Sequence, residues 1–221
     1  MSADGLLDSP HGIVRRKGTL FVANQVGSVI RVELGNGEQT MISLGDVGGR
    51  FVSANGIALE PSSILVTDLF IRAVIRVDPE TGDQDFLSVR GLLSGPMDFL
   101  REDENHVIIP DYFDGTIVRV DLTTGDQTIA HAIPGDGLYG IAREPSGTYV
   151  VGDRGGDRIY RVDLAAGTHE VLSEGGLLVN SSGIAVVPEW AELIPALGRG
   201  ALAGLAACLL LAGAIAVGGR P

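Results

Sequence analysis

From Pro10 to Pro188 the apolar residues come in short β-branched runs, each cut off within a few positions by Gly, Asp or Pro. No stretch in this region keeps a 3.6-residue period, so the pattern predicts strands and not helices. One run recurs four times. It reads Val29-Ile30-Arg31-Val32-Glu33, Val74-Ile75-Arg76-Val77-Asp78, Ile117-Val118-Arg119-Val120-Asp121 and Ile159-Tyr160-Arg161-Val162-Asp163, with its arginines 45, 43 and 42 residues apart.

Each unit divides the same way. A first strand follows or contains a glycine: Gly12-Ile13-Val14, Gly56-Ile57-Ala58-Leu59, Gly140-Ile141-Ala142 and Gly183-Ile184-Ala185-Val186. Met97-Asp98-Phe99 takes this place in the third unit. A second strand is nearly all apolar (Leu20–Ala23, Ile64–Thr67, Val107–Ile109, Tyr149–Val151), as expected when both faces are covered. The third strand carries the arginine. The fourth covers Gln39–Ser43, Gln84–Val89, Gln127–Ile133 and His169–Ser173. Asp78…Gly82, Asp121…Gly125 and Asp163…Gly167 join the third to the fourth: Asp opens such a turn and Gly closes it at positive φ.

A unit of about 40–45 residues with four short strands has the period of a propeller blade. The expected fold is therefore all-β. About four four-stranded blades span roughly 10–53, 54–94, 95–137 and 138–180, and an extra inner strand covers 183–187. An inner strand without partners exposes an edge. The chain is thus expected to be part of a larger ring, an open arc whose missing strands lie upstream.

The chain has 221 residues and a net charge of −12. All 28 acids and fourteen of the 16 basic residues lie between Asp4 and Glu192, so this stretch carries a formal −14. Such a field repels phosphate backbones, and no nucleic-acid partner is expected. The single cysteine, Cys208, leaves the propeller without disulfide or thiolate chemistry. Met1 to Pro10 has neither a basic nor an apolar region of the kind that opens a signal peptide.

Ala201 to Val217 has no charged residue, and Arg199 and Arg220 flank it. At 1.5 Å per residue it just spans a ~30 Å hydrocarbon layer, so 199–221 is expected to be one transmembrane helix behind a linker at 189–198.

These motifs carry two resemblances. Gly-Ile-Ala, an apolar strand ending in Asp, then Arg-Val-Asp resembles the NHL-repeat and gluconolactonase/senescence-marker group of six- or seven-bladed propellers. The C-terminus resembles the PEP-CTERM/IPTL-CTERM sorting signals of Gram-negative bacteria, with Ile194-Pro195-Ala196-Leu197 as the motif and Arg220 as a reduced basic end. The second resemblance implies export, anchoring on the extracytoplasmic side through 201–217, and processing by a sortase-like protease.

The propeller resemblance implies a central channel that in gluconolactonase-type relatives holds Ca²⁺ or Zn²⁺ on Glu, Asn and Asp. The corresponding residues here are His11, Asn55, Tyr139 and Ser182, with Asp98 in the third unit, and only Asn55 and Asp98 have the ligand type. Asn55, Asp98 and Tyr139 are thus the channel candidates, and no catalytic set, cofactor or metal is assigned. The repeated Asn24, Asp68, Asp111 and Asp153 read as turn caps, and the repeated arginines as a ladder of ion pairs with recurring acids. His11, His106, His131 and His169 occupy different strand positions and assemble no catalytic triad. The expected role is a binding or scaffold module for a protein, glycan or small ligand. The alternative is a propeller enzyme, a metal-dependent lactonase or a lyase of the streptogramin-cleaving type.

The apolar run carries its own test. Deleting the residues after Glu192 should move the protein from the membrane pellet to the soluble fraction, and a truncated form that still pellets would rule this segment out as the anchor.

Overall fold

The four repeated units each fold into one antiparallel sheet whose strands are ordered as they occur in the chain. The computed structural model describes residues 5–45, 51–135, 137–179 and 182–186. It divides into units Met1–Ala185 and Val186–Pro221, and all four sheets belong to the first. Blade one contains β1 (Pro10–Arg16), β2 (Thr19–Asn24), β3 (Ser28–Glu33) and β4 (Gln39–Leu44). Blade two contains β5 (Ala54–Leu59), β6 (Ile64–Asp68), β7 (Ala73–Val77) and β8 (Gln84–Val89). Blade three contains β9 (Leu100–Arg101), β10 (His106–Asp111), β11 (Thr116–Asp121) and β12 (Gln127–Ala132). Blade four contains β13 (Leu138–Arg143), β14 (Tyr149–Asp153), β15 (Arg158–Asp163) and β16 (Thr168–Glu174).

The blades stack through three apolar cores. Phe21, Ala23 and Val29 of blade one meet Ile57, Val66 and Ile75 of blade two. Leu65 and Val74 on the other face of blade two meet Val107, Ile109 and Val118 of blade three. Ile108 and Ile117 meet Ile141, Val151 and Tyr160 of blade four. Because both faces of each middle blade are covered, all five residues of β6 are buried. The outermost strand β16 is exposed throughout. The third unit departs from the pattern: Met97-Asp98-Phe99 is not itself a strand. A bridge pairs Pro96 with Asp111, and the ladder resumes only at Leu100. The Asp98 carboxylate accepts from Phe99 N at 2.8 Å, a local bond that competes with the ladder.

The cap at the end of the second strand is a clamp. Asp68 is fully buried. Its carboxylate accepts from Val52 N and Ser53 N in the segment arriving from blade one, and from Phe70 N and Ile71 N in its own hairpin. Asp111 does the same with Ser94 and Gly95 on one side and Phe113 and Asp114 on the other. In blade one the residue is Asn24, whose amide donates to Leu6 O and Ser28 Oγ.

The arginines pair inside their own blades and do not form a ladder across them. Arg76 forks onto Glu60 at 2.6 and 2.8 Å, Arg119 onto Glu102 at 2.5 and 2.6 Å, and Arg161 onto Glu144 at 2.7 and 3.0 Å. Each glutamate sits in its blade's β1–β2-type hairpin. In blade one Arg16 holds that position and reaches instead to Glu60 O and Ser63 O of blade two. Arg31 is left 3.6 Å from Glu33. Bonds from Arg161 and Thr148 hold the Glu144 carboxyl at about 2, below its ordinary 4.5.

Two outcomes are expected. Asp68→Ala leaves four N–H groups, one of them buried and three partly buried, without their acceptor and should cost roughly 2 kcal/mol in urea unfolding, with Asp68→Asn costing less. For Glu144 the folded value lies below the unfolded one. Its stabilisation is therefore complete above about pH 4.5 and is lost as the pH falls towards 2. Melting temperatures across that window should fall less steeply in Glu144→Gln than in the parent.

Candidate binding site at the channel mouth

Every inner strand carries one extra residue against its partner. The register runs Pro10↔Asn24 then Ile13↔Val22, Ala54↔Asp68 then Ile57↔Val66, and Leu138↔Asp153 then Ile141↔Val151. With Pro96↔Asp111 in blade three, the equivalent residues within the bulge are His11, Asn55, Met97 and Tyr139. The next position holds Gly12, Gly56, Asp98 and Gly140. Asp98 thus stands in the glycine column, and Met97, not Asp98, is the counterpart of Asn55. Glycine is needed there because inner strands touch. A Cβ on Gly12 would lie 2.4 Å from Asn55 O, on Gly56 2.8 Å from Asp98 Cα, and on Gly140 2.9 Å from Ser182 O. Ser182 therefore lies beside blade four in the same way, although residues 182–186 form no ladder. The Asp98 carboxylate also receives Ile141 N of blade four at 3.3 Å.

A second set comes from the residue after each clamp: Gln25, Leu69, Tyr112 and Arg154. The turn behind the clamp delivers these side chains to the same end of the channel. There His11 Nε2 lies 2.5 Å from Tyr139 Oη, joining blades one and four across 128 positions. The Arg154 guanidinium sits 5.2 Å over the Tyr139 ring, and Tyr112 meets that ring edge-on at 6.2 Å. Gln25 Nε2 donates to Asn55 Oδ1 at 3.0 Å, and Asn55 Nδ2 donates to Ser53 O at 2.9 Å.

Burial lowers the His11 pKa and the Arg154 charge adds to this, against a backbone hydrogen bond at Asn55. Burial raises Tyr139, opposed by Arg154. Burial also raises Asp98, opposed by the Phe99 and Ile141 N–H groups. At neutral pH the pair is thus a neutral imidazole against a neutral phenol, beside one cation.

Sequence reasoning named Asn55, Asp98 and Tyr139 here, and the fold brings only Tyr139 into the central cluster. Asn55 lines it from beneath, and Asp98 turns towards blade four. The donor set does not fit the Ca²⁺ or Zn²⁺ of the gluconolactonase type: Asn55 Oδ1 is bonded to Gln25, and Asp98 is bonded by backbone N–H groups. Among the described residues no three His, Cys, Asp or Glu side chains converge. Tyr112 and Arg154 were missed, and the signal for them was their place directly after the repeated Asp. The sorting motif Ile194–Leu197 and the apolar run 201–217 lie outside the described residues. Among those residues no helix is long and apolar enough to cross a membrane.

No protein-family profile matches the chain. No curated protein matches it either. Solved structures do. A chain of the nidogen/laminin complex superimposes with a TM-score of 0.66 at 20% identity, over 79% of this chain and 67% of that one. A streptogramin B lyase gives 0.64 at 12% identity, over 79% and 58%. The virginiamycin B lyase from Staphylococcus aureus gives 0.56 at 15% identity, over 79% and 73%. This chain thus spans little more than half the length of the streptogramin B lyase. At such identities the likeness shows the fold alone: a β-propeller, with four blades among the described residues.

The Arg154 charge is one cause of the low His11 pKa, so Arg154→Met should raise it. Titration of the His11 ring by NMR would read this directly, and an unchanged or lower value would contradict the placement of Arg154 beside the pair.

Proposed function

We propose that this propeller is a binding module whose partner sits over the channel mouth. The observation that carries this reading is the contrast between the two ends of the blades. The end with the β1–β2 and β3–β4 turns, and their counterparts in the other blades, carries Glu60, Glu102 and Glu144 with Asp78, Asp121 and Asp163. The grooves there, about 630 and 650 Å³, are lined by the Glu60–Arg76 and Glu102–Arg119 pairs, whose charges already satisfy each other.

The opposite end carries exposed apolar side chains and a mixed charge, with Asp114 and Asp157 on its hairpins beside three arginines. Val26, Phe70 and Phe113 at the hairpin tips are 51%, 66% and 50% exposed, and Val52 on a crossover is 56% exposed. Arg72, Arg90 and Arg154 lie among them, and Phe70, Ile71, Arg72 and Arg90 line a crevice of about 520 Å³. Arg72 has φ 62° where blades one and three have Gly27 and Gly115, a conformation that disfavours a side chain. Exposed aromatic and arginine side chains around a polar centre suit a partner with apolar and acidic groups.

The apolar run 201–217 and the motif Ile194–Leu197 support an exported, membrane-associated protein. One similar structure is of a complex between nidogen and laminin, which accords with a docking role. The second reading is an enzyme of the streptogramin-lyase kind, and the His11–Tyr139 pair favours it. A neutral imidazole can accept a proton, and the adjacent phenol and Arg154 can stabilise developing negative charge.

Arrays of acidic–aromatic peptides and of glycans would test the first reading. Phe113→Ser and Arg154→Ala should each weaken any ligand found by tenfold or more, while Glu104→Ala at the acidic end should not. Incubation with a streptogramin B separates the second: turnover that His11→Ala abolishes would replace the binding reading with the catalytic one.

A further inference from the structure

The seams between the outer strands follow a rule. Between blades one and two, Gln84 Nε2 donates to Ser43 Oγ at 2.6 Å, and Ser43 Oγ donates to Gly82 O at 2.9 Å. Between blades two and three, Gln127 Nε2 donates to Ser88 Oγ at 2.8 Å, and Ser88 Oγ donates to Gly125 O at 2.6 Å. The turn glycine presses on the preceding blade: a Cβ on Gly82 would lie 1.9 Å from Ile42 O, and on Gly125 1.9 Å from Leu87 O.

Between blades three and four both members of the pair are replaced. His131, paired with Ile117, stands where Ser43 pairs with Val29 and Ser88 with Val74. His169, paired with Val162, stands where Gln84 pairs with Val77 and Gln127 with Val120. His131 Nε2 lies 2.8 Å from His169 Nδ1. Gly167, the turn glycine of this seam, has no atom within 4 Å of its Cβ position. The larger rings occupy a seam that lacks the tight contact made at the other two. Tyr160 packs edge-on against His169 at 5.7 Å.

A serine–glutamine bond is enough to hold two such seams, so the paired histidines are not required by the fold. From this we infer that His131 and His169 form a two-imidazole site for a borderline divalent transition cation such as Cu²⁺ or Ni²⁺. Two metal–nitrogen bonds of about 2.0 Å at a right angle span about 2.8 Å, the separation found, whereas a tetrahedral ion needs about 3.3 Å. On binding, the ring that now donates would carry its proton on its other nitrogen, which frees both facing lone pairs to turn by about 45° towards the ion. His169 is exposed and can turn. Water would complete the coordination.

Calorimetric titration of the full chain with Ni²⁺ should give one site of micromolar affinity. His131→Ser and His169→Gln should each weaken it at least tenfold, and His106→Asn should leave it unchanged. The double variant rebuilds the serine–glutamine pair of the other seams, so it should stay folded, bind no Ni²⁺ and lose the metal-dependent rise in melting temperature. With Cu²⁺, the electron paramagnetic resonance spectrum should show coupling to two imidazole nitrogens. Binding no tighter than millimolar, or binding that survives in the folded double variant, would overturn the site.

Discussion

A carboxylate buried at the end of a second strand accepts backbone N–H groups from two directions: its own hairpin, and the segment arriving from the blade before. Asp68 and Asp111 each tie four or more such donors. A group this deeply placed is costly if unpaired, so the donors and the carboxylate enforce each other. The residues just beyond each clamp inherit that rigidity. Tyr112 follows the clamp Asp111, and Arg154 follows Asp153, which accepts from Gly156 N in its own hairpin; both reach the Tyr139 ring. The apolar tips Phe70 and Phe113 come one position later on the same anchored hairpins.

The repeat also makes its own exceptions readable. Where inner strands touch, glycine is demanded by distances under 3 Å, and Asp98 is accommodated only by abandoning regular pairing from Met97 to Phe99. Where three blades fork an arginine onto a hairpin glutamate, blade one has Arg16 in the glutamate's place. That arginine is not idle, since it joins blade one to two carbonyls of blade two. Charge is distributed by the same logic. The third-to-fourth-strand turns of blades two to four open with Asp78, Asp121 and Asp163 at the end that also holds Glu60, Glu102 and Glu144, while the exposed aromatic tips and Arg72, Arg90 and Arg154 lie at the other end.

Much of the architecture was legible in the primary structure. The Arg-Val-Asp run at 42 to 45 residues, the strand-length apolar runs and the Asp…Gly turns determined four antiparallel blades in chain order, because the side-chain period and turn chemistry are local properties. The capping role of Asp68 and Asp111 was legible for the same reason: a residue repeated at every strand end serves the strand end.

Tertiary structure alone decided what the deviations meet. His11 and Tyr139 are 128 residues apart, and they touch because the arc of blades returns blade four towards blade one. His131 and His169 looked scattered along the chain, yet register places them in adjoining columns of neighbouring blades. Asp98 was matched with Asn55 by its place in the repeat and its ligand type, but the strand register sets Met97 opposite that position and Asp98 one residue on, in the glycine column, where its carboxylate receives Ile141 N. Spacing along the chain sets which residues are equivalent only to within a one-residue bulge, and a single extra residue turns the next side chain to the other face of the sheet.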